Sequence, residues 1–189
     1  MRIAITGTPG TGKSAVAGRL RALGELVIGL NDLAFKHHLL GPYDRKRKTR
    51  EVDLAGLGRF IDRQYPKKGR IFLESHYSHL LKVDRVVVLR CAPAVLRRRL
   101  TRRGYPGSKV RENSLAEALD AITSEAVARL GSRSVFEIDT TRRRPAATAA
   151  LVLRLARAGF RNATRFAPGR LNFSEDILRN AGFYTSKAR

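Results

Sequence analysis

The sequence predicts an α/β fold in which a parallel sheet of about five strands has helices on both faces. The first observation is that short runs of Val, Ile and Leu recur without alternating with polar residues, as expected for strands buried on both faces. The second is that helical patterns separate these runs, which favours strand–helix–strand units. The runs occupy residues 2–6, 26–29, 71–74, 83–91 and 134–139.

The first strand–helix connection carries a phosphate-binding motif. Between the apolar run at 2–6 and the helical pattern at 15–23 lies GTPGTGKS (residues 7–14), which fits the Walker A pattern. Its glycines let successive backbone N–H groups point inward as an anion nest, and the following helix adds its positive N-terminal end. In such a loop Lys13 bridges the β- and γ-phosphates of ATP, and the Ser14 hydroxyl binds Mg²⁺. The alternative is a chance glycine-rich turn, but strand, loop, Lys-Ser pair and helix follow in the required order, so we expect a three-layer fold of the P-loop NTPase type.

Three polar segments interrupt the α/β pattern, at residues 36–50, 97–113 and 161–189. The first follows the second strand and is too polar for the core. The second starts as a helix and runs into an arginine-rich loop containing Gly and Pro, and the third starts with loop signals after a helix predicted at 145–158. We therefore divide the chain into a P-loop domain at 1–159, with excursions at about 31–52 and 99–113, and a basic C-terminal extension at 160–189.

The charge balance indicates a polyanionic partner. Lys and Arg together number 38 and Asp and Glu 16, which gives a net charge of +22 over 189 residues. Such a field attracts polyanions, and RNA is the expected partner. An arginine-rich proteome, or the charged surface of a thermophile's protein, is the alternative explanation.

Cysteine content and hydropathy indicate where in the cell the protein is expected. The single cysteine, Cys91, excludes an intramolecular disulfide and a cysteine-based zinc cluster, and its place at the end of an apolar run indicates a small core residue. The first residues form a strand pattern rather than a leader. No apolar stretch approaches the roughly 20 residues that a membrane span needs. We expect a cytoplasmic protein with no membrane partner.

A P-loop alone does not separate kinases from ATPases and GTPases. The Asn/Thr-Lys-x-Asp motif with which GTPases usually recognise guanine does not occur in the sequence. Small P-loop kinases instead close two excursions, one over the acceptor and one over the phosphates, which excludes water from the transfer. The polar segments at 36–50 and 97–113 lie where such excursions are inserted, and their arginines suit the charge on a transferred phosphoryl group.

The arginines of the second excursion cannot all serve one phosphate, because a helix has about 3.6 residues per turn. Arg99 and Arg103 are four residues apart and share a helix face, so we predict that this pair contacts ATP. Arg97, Arg98 and Arg102 are predicted to be solvated or to face RNA.

Six motifs follow one another along the chain: the P-loop (7–14), NDLA (31–34), ESH (74–76), VVVLRC (86–91), RLTRRGY (99–105) and KVRENSLAEA (109–118). In these motifs the sequence resembles the adenylate kinase isoenzyme 6 family, also called CINAP, with its archaeal relatives. The resemblance covers roughly residues 1–159, and the segment at 71–120 is more discriminating than the P-loop. The ending RFAPGRLNF (165–173) is similar to the tail of archaeal members.

The resemblance implies a nucleoside monophosphate kinase of broad acceptor range, which also hydrolyses ATP and assists late maturation of the small ribosomal subunit and its 16S rRNA. Members of the family do this by transiently binding a ribosomal protein of the small-subunit platform. The ligands implied are ATP, Mg²⁺ and a monophosphate, with that ribosomal protein and rRNA as partners. The residues implied for ATP and Mg²⁺ are Gly10, Gly12, Lys13, Ser14, Ala15, Arg103 and Arg144, with Arg144 near the adenine, and the monophosphate site is implied at about 31–52, starting with Asn31 and Asp32.

The residues after the third strand depart from the family pattern. Eukaryotic members have Asp-x-His here, and this chain has Glu74-Ser75-His76. We predict that Glu74 binds Mg²⁺ through water, because strand ends facing the P-loop carry such acids, although a carboxylate paired with an arginine is the alternative. His76 is predicted to be catalytic, with a hydrogen-bonded structural histidine as the alternative.

Three functions follow from these observations. The first is a kinase that converts ATP and a monophosphate, with AMP expected, into two diphosphates. The second is an assembly factor whose ATP hydrolysis drives release from a ribosomal protein or rRNA. The third is a P-loop kinase for a non-nucleotide metabolite, since no residue of the sequence directly identifies the acceptor base.

Overall fold

A computed structural model of the chain describes residues 1–44, 49–65 and 69–185. Five parallel strands form the central sheet, in the order β2–β5–β1–β6–β7, which confirms the predicted fold class. A separate antiparallel hairpin is formed by β3 and β4. The strands are β1 (Arg2–Thr6), β2 (Val27–Gly29), β3 (Leu40–Asp44), β4 (Thr49–Val52), β5 (Ile71–Glu74), β6 (Arg85–Arg90) and β7 (Val135–Asp139). The helices are α1 (Lys13–Ala22), α2 (Leu30–Lys36), α3 (Leu54–Gln64), α4 (Pro93–Arg102), α5 (Gly107–Ala118), α6 (Ala121–Leu130), α7 (Pro145–Arg157), α8 (Glu175–Arg179) and α9 (Ala181–Thr185).

The sheet separates two layers of helices, because successive side chains of a strand point to opposite faces. On β1, Ile3 and Ile5 are fully buried in a cluster with residues of α1 and α7. Ala4, between them, is buried on the other face with Val86, Val88 and residues of α6. The three-layer arrangement therefore follows from the continuous apolar runs in the sequence. Within the described ranges, no helix has the length and apolar character needed to span a membrane.

The two excursions are more ordered than their polar sequences predict. The first contains α2 and the β3–β4 hairpin, and its residues 45–48 lie outside the described residues. The second was expected to run from a helix into an arginine-rich loop. It consists of two helices, α4 and α5, because Gly104 ends the first with a φ of +72° and Pro106 directly precedes the second.

A buried charge cluster connects the second excursion to the sheet. Arg90, at the end of β6, is 1% exposed and forms ion pairs with Glu117, Asp120 and Glu137. The Glu117 carboxylate also accepts a hydrogen bond from the Thr8 hydroxyl of the P-loop. Burial acts to lower the pKa of Arg90, but the surrounding carboxylates, Glu117 first, raise it overall, so the guanidinium stays charged.

The C-terminal segment packs onto the α4–α5 pair. Arg97 donates hydrogen bonds to Asp176 (Nη1 to Oδ2, 2.6 Å) and to the Tyr184 hydroxyl (3.0 Å). Phe183 packs against a buried apolar cluster that includes Leu96 and Leu100. The prediction that Arg97 is solvated or faces RNA is therefore wrong, because a carboxylate 79 residues further along the chain pairs with it.

The start of the C-terminal segment contributes to the core of the P-loop domain. Phe160 is 7% exposed and stacks on Phe136, with the ring centroids 4.6 Å apart. Ala163 is also buried in this cluster. A truncation meant to remove only the extension should therefore leave these residues in place.

The Arg97–Asp176 contact makes a testable contribution to stability. Burial acts to raise the pKa of Asp176, but hydrogen bonds from Arg97 and Tyr184 lower it overall, so the carboxylate is charged at neutral pH. Asp176→Asn keeps the size of the side chain and loses the charge. Because the pair is partly exposed, we expect the free energy of unfolding to fall by about 1 kcal/mol, with faster proteolytic cleavage after residue 170.

The control is Glu175→Gln, since the partner of Glu175 within the described ranges is Arg179, on the exposed side of α8. It should change neither the urea unfolding midpoint nor the rate of cleavage. Equal cleavage rates for the two variants would contradict the contact between the C-terminal segment and α4.

Candidate active site

The P-loop connects β1 to α1, and its backbone conformation requires glycine at two positions. A Cβ at Gly7 would lie 2.3 Å from the carbonyl oxygen of Leu89 on the neighbouring strand, and the φ of Gly7 is +135°. Gly12 directly precedes α1 with a φ of +103°. Since α1 begins at Lys13, its first N–H groups lack helical partners and are available to phosphate oxygens.

Lys13 lies over the P-loop, where it would neutralise the charge of bound phosphates. Its Nζ donates hydrogen bonds to the carbonyl oxygens of Gly7 (2.7 Å) and Thr8 (3.1 Å), and the residue is 9% exposed. Burial lowers the pKa of Lys13 to about 8, the charge of Arg103 acts in the same direction, and the nearby carboxylates of Glu74 and Glu117 oppose it. Phosphate oxygens at the loop would stabilise the charged form of this lysine.

Ser14 and Glu74 are brought together from different elements. The Ser14 hydroxyl donates to Glu74 Oε1 over 3.2 Å, because β5 ends beside β1 at the opening of the P-loop. A hydroxyl and a carboxylate suit Mg²⁺, which uses few protein ligands together with water and substrate phosphates. In the part of the chain that the structure describes, no group of three His, Cys, Asp or Glu residues could hold a metal by itself. Glu74 lies at the end of β5 and is paired with a serine rather than with an arginine, and its role toward Mg²⁺ stays a prediction.

His76 and His79 differ in their surroundings. His79 is buried, with Nδ1 3.0 Å from the Thr6 hydroxyl and Nε2 2.9 Å from Glu125, so it has a structural position. His76 opens to solvent on one side. Desolvation of its ring, followed by the positive charges of Lys13 and His79, lowers the pKa of His76 to about 4. His76 is therefore neutral at neutral pH, and a neutral imidazole can accept a hydrogen bond or a proton.

A cleft of about 340 Å³ opens beside the P-loop, and we call it the P-loop cleft. Arg99 crosses its base, donating to the carbonyl oxygens of Thr140 (2.9 Å) and Thr141 (3.2 Å), and Arg103 lies at its edge. The predicted pair of lid arginines is thus brought together here. The cleft is lined by Gly10, Thr11, Gly12, Ala15, Val16, Arg99, Arg102, Arg103, Thr140, Arg143, Pro145 and Thr148.

Two arginines of this cleft were not predicted. Arg102 lines it together with Arg99 and Arg103, and the i, i+3, i+4 spacing of the three could have revealed this shared face. Arg143 lines the cleft, whereas Arg144, the residue predicted near the adenine, is exposed just before α7 and is not among the lining residues. The role of Arg144 stays a prediction.

A second groove, of about 620 Å³, lies at the end of β5, and we call it the β5 groove. Asn31, which is predicted for the monophosphate site, lines this groove, and the Tyr77 hydroxyl donates to Asn31 Oδ1 over 2.9 Å. Asp32 is not brought to this groove, because its position on α2 places it in another groove beside Gly29 and Tyr65. The β5 groove is lined by Asn31, Leu40, Arg50, Glu51, Val52, Leu54, His76 and Tyr77.

Comparison with known proteins agrees with this geometry. A family model described as an AAA domain matches residues 3–120. The structure of shikimate kinase from Acinetobacter baumannii in complex with shikimate superposes with a TM-score of 0.55 at 17% identity, over 84% of this chain and 93% of that one. Deoxyadenosine kinase from M. mycoides superposes with a TM-score of 0.52 at 14% identity, over 84% and 99%. This chain thus has the P-loop fold that these two kinases share.

Relatives by sequence identify the family. The protein named "Putative adenylate kinase" in Natronomonas pharaonis is 42% identical over 149 residues, which are 79% of this chain and 86% of the relative. The protein of the same name in Archaeoglobus fulgidus is 39% identical over 177 residues, 94% of each chain. The chain belongs to this archaeal family of putative adenylate kinases.

The lowered pKa of Lys13 predicts proton uptake when ATP binds. At pH 8 about half of the Lys13 side chains are neutral, and the phosphates should restore their charge. We expect uptake of about half a proton at pH 8 and almost none at pH 6, and a weaker ATP affinity as the pH rises through 8. Titration calorimetry in two buffers of different ionisation enthalpy measures the uptake.

The matched control is Lys13→Arg, which remains charged throughout this pH range. It should abolish the dependence on the buffer while retaining measurable binding. If the parent protein shows the same binding enthalpy in both buffers at pH 8, Lys13 is not the titrating group.

Proposed function

We propose that the protein is a nucleoside monophosphate kinase that transfers the γ-phosphoryl group of ATP to a monophosphate, with AMP as the expected acceptor. The observation that carries the proposal is that two grooves open next to Lys13, Ser14 and Glu74. Gly12 and Ala15, on either side of Lys13 and Ser14 in the sequence, line the P-loop cleft. His76, two positions after Glu74, lines the β5 groove. The P-loop cleft supplies arginines and backbone suited to a triphosphate, and the β5 groove supplies polar groups for a second ligand. The family of the chain supports this assignment.

The transfer needs positioning and charge rather than a covalent intermediate. An oxygen of the acceptor phosphate attacks the γ-phosphorus in line, the bond from that phosphorus to the β–γ bridging oxygen breaks, and ADP leaves. Lys13 neutralises the β- and γ-oxygens, and Arg99 and Arg103 stabilise the charge on the transferred group. Mg²⁺, held by Ser14 and through water by Glu74, would supply further neutralisation of the phosphate oxygens.

The resemblance to CINAP suggests a second activity and a cellular role. His76 is neutral at neutral pH and lines the β5 groove, so it could orient a water for ATP hydrolysis when no acceptor is bound. The net charge of +22 favours an RNA-containing partner. We therefore also propose a role in late maturation of the small subunit and its 16S rRNA, with a platform ribosomal protein as partner. An assembly ATPase without a kinase role, and a kinase for a non-nucleotide metabolite, are the alternatives.

Separation of the products distinguishes these functions. The purified protein is incubated with Mg·ATP and each nucleoside monophosphate in turn, and diphosphate and inorganic phosphate are quantified. Phosphorylated monophosphate supports the kinase. Free phosphate that does not depend on a monophosphate, with no phosphorylated monophosphate, would support the assembly ATPase instead.

The Lys13→Ala variant is the control for the site itself. It should lose both products, because transfer and hydrolysis both need neutralised phosphates. A folded Lys13→Ala variant with near-normal turnover would show that the P-loop is not the site of the chemistry.

Tyr77 is predicted to position Asn31 for the acceptor. Its hydroxyl binds Asn31 Oδ1, which leaves the amide N–H groups of Asn31 to donate to a ligand in the groove. Tyr77→Phe removes this one hydrogen bond. With about 1 kcal/mol lost, the KM for the monophosphate should rise about fivefold, and the KM for ATP should stay constant.

Tyr65→Phe provides the matched control, because Tyr65 lines the groove of Asp32 and not the β5 groove. It should leave both KM values unchanged. Equal increases in the KM for ATP and for the monophosphate in Tyr77→Phe would instead assign Tyr77 a structural role.

A further inference from the structure

One arginine-rich part of the chain lies mostly outside the P-loop cleft. Residues 142–170 contain eight arginines and no Lys, Asp or Glu. This segment comprises α7 with its flanking turns and the short 3-10 helix Thr164–Phe166. Only its first arginines come near the P-loop cleft, so most of this charge needs another explanation.

Part of the segment forms a groove of about 780 Å³, which we call the α7 groove. Arg143 lies two positions before α7 begins, and Arg154 lies nine positions after Pro145, its first residue, which is about 13 Å along the helix axis. Arg165 and Phe166 form the opposite wall. Between the walls the helix presents Ala147, Ala150 and Leu151, and the two alanines leave room for a ligand to approach the helix closely.

The charges of this groove are available to a ligand. Among the described residues, neither Arg143 nor Arg154 forms an ion pair with a carboxylate, although Arg157 on the same helix lies 3.8 Å from Glu25. The guanidinium of Arg165 lies over the ring of Phe166, 4.7 Å from its centroid, which limits its orientations before any ligand binds. The groove thus presents three exposed arginines, of which Arg165 has a partly fixed guanidinium.

The spacing and composition select the class of ligand. More than two turns of α7 separate the positions of Arg143 and Arg154, so a ligand that uses the whole groove carries phosphates in succession. A protein partner would need apolar contacts, and the groove offers few, because Leu151 is 6% exposed and the half-buried ring of Phe166 lies under the Arg165 guanidinium. Polar, strongly positive surfaces are instead typical of nucleic-acid interfaces, and arginine matches phosphate geometry through its planar fork.

We propose that the α7 groove binds the sugar–phosphate backbone of a nucleic acid and that this binding opposes ATP binding. The second part follows from Arg143, which lines both the α7 groove and the P-loop cleft. One guanidinium cannot pair fully with phosphates on both sides, and the bound polyanion repels the triphosphate. The coupling is reciprocal, so ATP weakens nucleic-acid binding by the same factor. This inference does not depend on which acceptor the enzyme phosphorylates.

Binding is tested with a fluorescent single-stranded RNA of about 12 nucleotides, a length in the range of known single-strand sites. Anisotropy is measured against salt for the parent protein and for the double variant Arg154→Gln/Arg165→Gln. We expect the double variant to bind at least several-fold more weakly at low salt. Its log–log salt slope should be shallower by about 1.4, since each phosphate contact on a single strand contributes about 0.7.

The control variant is Arg59→Gln/Arg63→Gln on α3, which removes the same charge from the opposite face of the sheet. Equal losses in the two double variants would show non-specific attraction and overturn the proposal. Displacement of the RNA by poly-glutamate of equal charge, as effectively as by unlabelled RNA, would overturn it in favour of an acidic protein partner. A DNA strand of the same sequence separates backbone phosphate binding from recognition of the RNA 2′-hydroxyl, and binding of either strand supports the groove.

The coupling is measured with a non-hydrolysable ATP analogue. Saturating analogue should weaken RNA binding to the parent protein several-fold, and this effect should shrink towards none in Arg143→Gln. The Arg154→Gln/Arg165→Gln variant should retain phosphoryl transfer, because neither residue lines the P-loop cleft. If the analogue leaves RNA affinity unchanged or strengthens it, the opposition between the two ligands is refuted.

Discussion

The buried guanidinium of Arg90 is the interaction on which the rest of the site depends. Its carboxylate partners are Glu117 on α5, Asp120 directly before α6, and Glu137 on β7. Glu117 extends the cluster to the P-loop through Thr8, and Glu137 extends it to the C-terminal segment by accepting from the backbone N–H of Gly169 over 2.9 Å. Such clusters gain little net stability over an apolar core, but removing one partner leaves a buried charge and costs about 3–5 kcal/mol. The position of the α4–α5 pair relative to the phosphate loop is therefore tied to the correct burial of this one arginine.

The features that the sequence predicted are those that local spacing determines. The P-loop, the five apolar strands and the shared face of Arg99 and Arg103 each depend on residues within one segment. The contacts that were missed join distant segments: Arg97 with Asp176 are 79 positions apart, and Tyr77 with Asn31 are 46 apart. No periodicity carries information about such pairs. Arg143 lines the P-loop cleft and Arg144 does not. Which of the two neighbours faces the cleft depends on the direction in which α7 begins, and tertiary packing sets that direction.

The electrostatics of the site favour incoming negative charge. Burial lowers the pKa of both Lys13 and His76, so the folded protein holds these groups in environments where positive charge is costly. A phosphate group removes that cost at Lys13. The arginines at the edge of the cleft are permanently charged and more exposed, so they can attract the nucleotide before the lysine responds.

The contact between the C-terminal segment and α4 also has a consequence for the order of biosynthesis. The apolar side chains of Leu96, Leu100 and Val110 are partly covered by Phe183, more than 70 residues further along the chain. At a translation rate of roughly 5–20 residues per second, this interval lasts roughly 4–15 s. During that time the nascent α4–α5 pair has an uncovered apolar surface and Arg97 has no carboxylate partner from the segment. Newly made chains would thus be most exposed to chaperones and to aggregation in the interval before Phe183 is made.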